Sequence, residues 1–144
     1  MNVQNLRSPS ARVGDLFYFG RMVDKVRLQA DGGLPAEYQP NLGTGFDGRC
    51  LSFLGIEYPA LIERVKQGGT DEELLEWAYH TGRRRSDEEI EVWNEFMRKR
   101  GWNDEATPML KRRLQEGGFA DREDIQTFFQ FIDLDEGRDP RAQA

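Results

Sequence analysis

Arg21, Asp24 and Lys25 stand at i, i+3 and i+4 in a segment whose apolar positions, Met22, Val23, Val26 and Ala30, fall on one helical stripe. That spacing puts both cations on a shared face with the carboxylate between them. An anion meeting such a face would be held by Arg21 and Lys25 and oriented by Asp24, which is also placed to act as a base. The stretch that follows, residues 31–48, carries Tyr38 and is the longest irregular run in the chain. Long loops in small domains more often serve function than simple connection, so this one is expected to fold over the charged face. The competing reading is a solvated helix surface, its pairs worth about 0.2–0.5 kcal/mol each.

Other residues that could do chemistry lack partners. Gly43, Gly45 and Gly48 match the glycine spacing of a dinucleotide fingerprint, but no strand precedes them, so the segment reads as a glycine-rich loop. His80 is the only histidine and no Ser, Cys or metal ligand stands at a recognisable distance from it. Arg83, Arg84 and Arg85 complement a helix end and the acidic first turn of the next helix. Cys50 sits beside Leu51 and Phe53 and reads as a small buried hydrophobe. Asp133, Asp135 and Glu136 gather at a helix carboxyl end, where the dipole disfavours them, so the terminal helix is expected to pack back with at least one of them in ion-pair reach of Arg21, Lys25 and Arg27 or of Arg7. They resemble a calcium loop only superficially, since the glycine is one place early and the distal Glu is missing. No catalytic residue, metal ligand or cofactor is assigned.

The elements that must position these residues are helices. Thr70-Asp71-Glu72-Glu73 and Ser86-Asp87-Glu88-Glu89 are two capping boxes, each followed by an apolar face bearing a Trp, so residues 70–100 predict a helix hairpin. Further helices are predicted after Ser8-Pro9, over Arg21–Ala30, Asp47–Leu54 and Pro59–Gln67, from Thr107 to the Gly117-Gly118 pair, and from a cap at Asp121 through Ile125, Phe128, Phe129 and Ile132. Leu16–Phe19 has strand character but no visible partner, and reads as helical or irregular. The expected fold class is all-α, one compact domain of six or seven short helices over residues 1–138 with a disordered tail at 139–144. The expected core comprises Met22, Val26, Leu51, Leu54, Leu61, Val65, Leu74, Trp77, Ile90, Trp93, Leu110, Leu114, Ile125, Phe128 and Phe129.

Charge bounds the partners. The net charge of −6 divides into 8 basic and 7 acidic side chains over residues 1–69 against 12 and 19 over residues 70–144. Phosphate backbones are bound by cations that displace counterions, so nucleic acid is not an expected partner; a membrane is not either, as no apolar run approaches the required 20 or so residues. One cysteine and no leader pattern point to the cytoplasm.

Leu6-Arg7-Ser8-Pro9, Arg21-Met22-Val23-Asp24-Lys25, Glu37-Tyr38, Phe53-Leu54-Gly55-Ile56, Trp77, Arg85-Ser86, Gly101-Trp102 and Asp133-Leu134-Asp135-Glu136-Gly137-Arg138 occur in order. In these the chain resembles a family of small, mostly helical bacterial proteins classified as a domain of unknown function. The resemblance implies a compact helical protein and no particular activity. It also implies that Arg21, Asp24, Lys25, Tyr38 and Asp47 belong to one pattern, the candidate ligand-binding set, in which the alternative reading below makes Tyr38 and Asp47 the lid. The chain reads best as a non-enzymatic binding or interaction module, its partner a protein or a second copy of itself. The alternative is a small enzyme or anionic-metabolite binder using those five residues.

Overall fold

A computed structural model describes residues 2–143. The chain is mostly helical, with one short β-hairpin that the all-α expectation lacked. Strands β1 (Arg12–Val13) and β2 (Leu16–Phe17) pair antiparallel with Val13 opposite Leu16. Leu16–Phe17, expected to be helical or irregular, is a strand because its partner lies only two residues upstream. Gly14 and Asp15 both take positive φ, 51° and 68°, which gives the tight turn the twist a two-residue hairpin needs. Side chains of a later helix complete the strand: Phe17 N–H donates to Asn94 Oδ1 at 2.9 Å and Trp93 Nε1 donates to Phe17 O at 3.1 Å.

No helix follows Ser8-Pro9. Ser8 Oγ instead donates to Asp133 Oδ2 at 3.0 Å, and Pro9 is fully buried, so tertiary contacts hold this segment in turns. The first helix is α1 (Phe19–Ala30), followed by a 3-10 helix over Ala36–Asn41 inside the long loop. Then come α2 (Phe46–Leu54), α3 (Tyr58–Lys66), α4 (Asp71–Thr81) and α5 (Asp87–Lys99). Both predicted capping boxes form, with Glu73 N–H donating to Thr70 Oγ1 and Glu89 N–H to Ser86 Oγ, each at 3.1 Å. The turn between these helices is pinned onto α2, as Arg83 N–H donates to Leu54 O at 2.8 Å.

Two C-terminal helices follow, α6 (Thr107–Glu116) and α7 (Phe128–Asp135). The last is capped by Thr127, not Asp121. Arg122 lies buried between Asp124 and Asp139 at 2.9 and 2.8 Å, which folds residues 119–126 into turns, and Thr127 with Gln130 supplies the capping box. Pro140–Gln143, placed by the sequence in a disordered tail, forms a 3-10 helix joined through Asp139 to Arg122; residue 144 of that tail lies outside the described residues.

The predicted core residues are buried apart from Trp77 and Phe128, which are partly covered, but they do not form one cluster. The main core joins the hairpin, α1 to α5 and Phe129, while Leu110, Leu114, Ile125 and Leu134 pack as a separate cluster under α6 and α7. Between these two bodies a cleft is left. Among the described residues no helix is long and apolar enough to cross a membrane.

Candidate functional site

Helix α1 runs through the middle of the molecule, and its polar residues are buried with its apolar ones: Arg21, Asp24 and Lys25 are 4%, 7% and 6% exposed. A solvated helix surface is therefore not what these charges form. Being buried, each must meet an opposite charge or a hydrogen-bonding group. The three do so in different directions.

Arg21 reaches the end of α7. Its Nη1 and Nη2 donate to Glu136 Oε1 and Oε2 at 2.8 and 2.6 Å, a two-pronged contact, and Nη1 also donates to Arg7 O at 3.0 Å. Tyr38 Oη donates to the same Glu136 Oε2 at 2.8 Å, and Arg138 Nη1 to Oε1 at 2.8 Å. Burial works to raise the Glu136 carboxyl, but the hydrogen bonds and charge of Arg21, with help from Arg138 and Tyr38, leave it below its usual range. Burial likewise works to lower Arg21, and the Glu136 contact outweighs it. The acid misplaced at its own helix end is thus paired with a cation 115 residues earlier.

Lys25 reaches the start of α2. Its Nζ lies 2.7 Å from Asp47 Oδ1 and 3.1 Å from Tyr18 Oη, and Tyr18 Oη donates to that same carboxylate oxygen at 2.7 Å. Asp47 Oδ2 accepts from Gly43 N–H at 3.0 Å, so the glycine loop is held shut by the carboxylate. Gly43 has φ 73° and a Cβ there would meet the Tyr58 ring at 2.9 Å, which is why this position takes glycine. Burial pulls Lys25 below its ordinary range against the opposing pull of Asp47, while burial and Asp47 both push Tyr18 up, keeping its hydroxyl protonated. Tyr18 itself has φ 79°, a costly conformation for a side chain of this size, at the point where the chain turns into α1.

Asp24 points away from both groups. Arg7 grips it through Nε and Nη2 at 2.9 and 3.0 Å, and Arg7 Nη1 goes on to Asp71 Oδ2 at 2.7 Å. Gly20 makes room for this, since a Cβ there would sit 2.9 Å from Arg7 Cζ. Asp24 therefore ties the N-terminal segment to α1 and α4.

The cleft between the two packed bodies has a volume of about 600 Å³. Tyr18, Arg21 and Lys25 lie along its α1 side, with Tyr38 on the 3-10 helix beside them. The structure thus gathers Arg21, Lys25 and Tyr38 of the five candidates at one cavity, sets Asp47 behind Lys25, and leaves Asp24 elsewhere. It adds residues to which the sequence gave no part in a site. Phe46, Phe128, Phe131 and Ile132 make an apolar wall, in which Phe46 meets Phe128 and Phe129 edge-on at 6.1 and 5.7 Å. Arg49, Arg100 and Arg113 approach from α2, the carboxyl end of α5 and α6. Arg49 makes no ion pair among the described residues and lies 5.2 Å from the centre of the Phe96 ring. Glu37, Glu116 and Asp135 also line the cavity.

Cys50, beneath this site, is fully buried and burial holds its thiol up, which removes it as a nucleophile. His80 is exposed on α4 and does not line the cleft. Comparison with curated proteins gave no match. The model of a family described as a domain of unknown function, DUF5069, matches residues 3–138, nearly the whole chain, and the protein belongs to that family.

Proposed function

We propose that the protein is a binding module for a small organic anion with an apolar body, held in the cleft bounded by α1, α2, α6 and α7. The observation that carries this reading is the pairing of cations with an aromatic wall in one cavity of about 600 Å³. That size and mixed lining suit a small ligand. Arg21 and Lys25 are already neutralised by Glu136 and Asp47, so the charge offered to a ligand comes first from Arg49, with Arg100 and Arg113. The apolar part would lie on Phe46, Phe128 and Phe131. Calorimetry with phenyl phosphate, benzoate and inorganic phosphate tests this. Phenyl phosphate should bind more tightly than inorganic phosphate, and Arg49→Ala should weaken it about tenfold, the loss of one charge-assisted hydrogen bond. No heat with any of the three at about 1 mM, a standard free energy of only about −4 kcal/mol, would reject it.

One observation favours a second reading, a small enzyme. Lys25 Nζ lies in the cleft lining between a carboxylate and a protonated phenol, at 2.7 and 3.1 Å. If Asp47 takes a proton from the ammonium, the amine can add to a carbonyl carbon; the carbonyl oxygen then leaves as water and an imine remains. Borohydride reduction in the presence of glyoxylate would fix that imine as a secondary amine. Labelling of Lys25 ahead of the exposed Lys66, Lys99 and Lys111 supports this reading, and an unlabelled Lys25 rejects it.

A further inference from the structure

We infer that the outward face of α5 is a self-association surface on which a second copy of this chain packs antiparallel. Three of the four large apolar side chains exposed among the described residues gather here, Val92, Phe96 and Trp102, at 65%, 41% and 55% exposure. Val92 and Phe96, one turn apart, form a ridge. A hollow lies on each side of it, one walled by Arg49, Phe53 and Trp93, the other by Trp102 and Asp104. Ridge and hollows on one face are self-complementary, as an isologous contact requires.

Charge selects the occupant and its direction. The N-terminal half of α5 presents Glu88 and Glu91, which make no ion pair among the described residues. Its C-terminal end presents Arg98 and Lys99, held only by exposed contacts to Glu95, and Arg100, which meets Asp104 at 3.4 Å in a half-buried pair and lies 5.7 Å from the centre of the Phe96 ring. A second α5 laid antiparallel puts Val92 beside Phe96 of the second copy and sets Glu88 and Glu91 against the second copy's Lys99 and Arg100. It also opposes the helix dipoles. A parallel arrangement would set acid on acid.

The helix is 13 residues long, about 20 Å, so the contact falls at the small end of specific interfaces, about 1,200 Å² in total, with a micromolar dissociation constant expected. This inference does not rest on the proposed ligand. The two surfaces do adjoin, because Arg49 and Arg100 line both the cleft and the hollows. Pairing would therefore brace one lip of the cleft.

Sedimentation velocity on the full chain tests the inference. The mass should rise from that of the 16.7 kDa monomer towards twice that value as concentration increases from about 1 to about 100 μM. Val92→Asp should hold the protein monomeric throughout. So should Glu88→Lys with Glu91→Lys, and separately Arg98→Glu with Lys99→Glu. An equimolar mixture of these two charge variants should restore the dimer, because the introduced lysines of one then face the introduced glutamates of the other, and Glu88 and Glu91 of the second face Arg98 and Lys99 of the first. A wild-type chain that stays monomeric at about 100 μM, a dimer that survives Val92→Asp, or charge variants that fail to pair on mixing would each overturn it. Should the charge variants not fold, Val92→Asp alone decides, since that exposed position leaves the core untouched.

Discussion

Arg21 and Glu136 stand 115 residues apart and meet through two hydrogen bonds of 2.8 and 2.6 Å, each side chain almost wholly buried. Helix α7 is thereby bolted to α1 across the cleft. Removing one partner strands a buried charge, which typically costs about 3–5 kcal/mol. Arg21→Met should therefore lower the melting temperature by about 10 °C, taking roughly 3 °C per kcal/mol at this size. Arg21→Met with Glu136→Leu should recover much of it, because neither charge is then left unpaired. Thermal unfolding followed by circular dichroism reads both.

Truncation after Ile132 removes Glu136 and the buried Leu134 together. The shortened chain should melt about 10 °C or more below the full one. A difference under about 2 °C, less than 1 kcal/mol at this size, would mean that the C-terminal end is not part of the fold.

Acid should loosen the same joint. Burial opposes ionisation of Glu136, yet Arg21, Arg138 and Tyr38 hold its folded-state pKa below the ordinary 4.5; hydrogen bonds from Arg7, then from Arg27, hold Asp71 below 3.8. A depressed carboxyl pKa means that the unfolded chain binds more protons, so the stabilisation is full above the unfolded-state value and is lost as pH falls through the folded one. Urea melts should show stability declining below about pH 5. In Glu136→Gln that decline should be shallower, from a lower plateau.

Trp93 stacks on Phe53 at 4.6 Å and 17°, and its Nε1 donates to Phe17 O. Trp93→Ala should cost about 3–5 kcal/mol. Trp77, only partly covered, should cost less when replaced in the same way. A Trp93 loss below about 1 kcal/mol in chemical denaturation would contradict this packing.

Gly82 closes α4 against the end of α2, and a Cβ there would meet Leu54 O at 2.1 Å. The obstacle is backbone, so it cannot swing aside. Gly82→Ala should either separate the α4–α5 turn from α2 or cost about 2 kcal/mol or more, read as a lower denaturant midpoint and faster amide exchange at Arg83.

What the sequence determined by itself was local. Thr70 with Glu73 and Ser86 with Glu89 form their caps because every participating atom lies within four residues, so spacing alone specifies the bonds. The stripe of Met22, Val23 and Val26 reports burial for the same reason. The sequence also marked Asp133, Asp135 and Glu136 as acids opposed to their own dipole and pointed to Arg21, Lys25, Arg27 or Arg7 for relief, without being able to say which acid meets which cation. Only the tertiary structure decided that Glu136 is the acid that meets Arg21, that Lys25 meets Asp47 and Tyr18, and that Asp24 meets the Arg7 side chain. Neighbours on a helix at i, i+3 and i+4 share a face only loosely, and where every face is covered the packing chooses each side chain's partner. The cleft has the same origin. Leu110, Leu114, Ile125 and Leu134 pair with one another instead of joining the main core, and no periodicity along the chain records which apolar cluster a residue will enter.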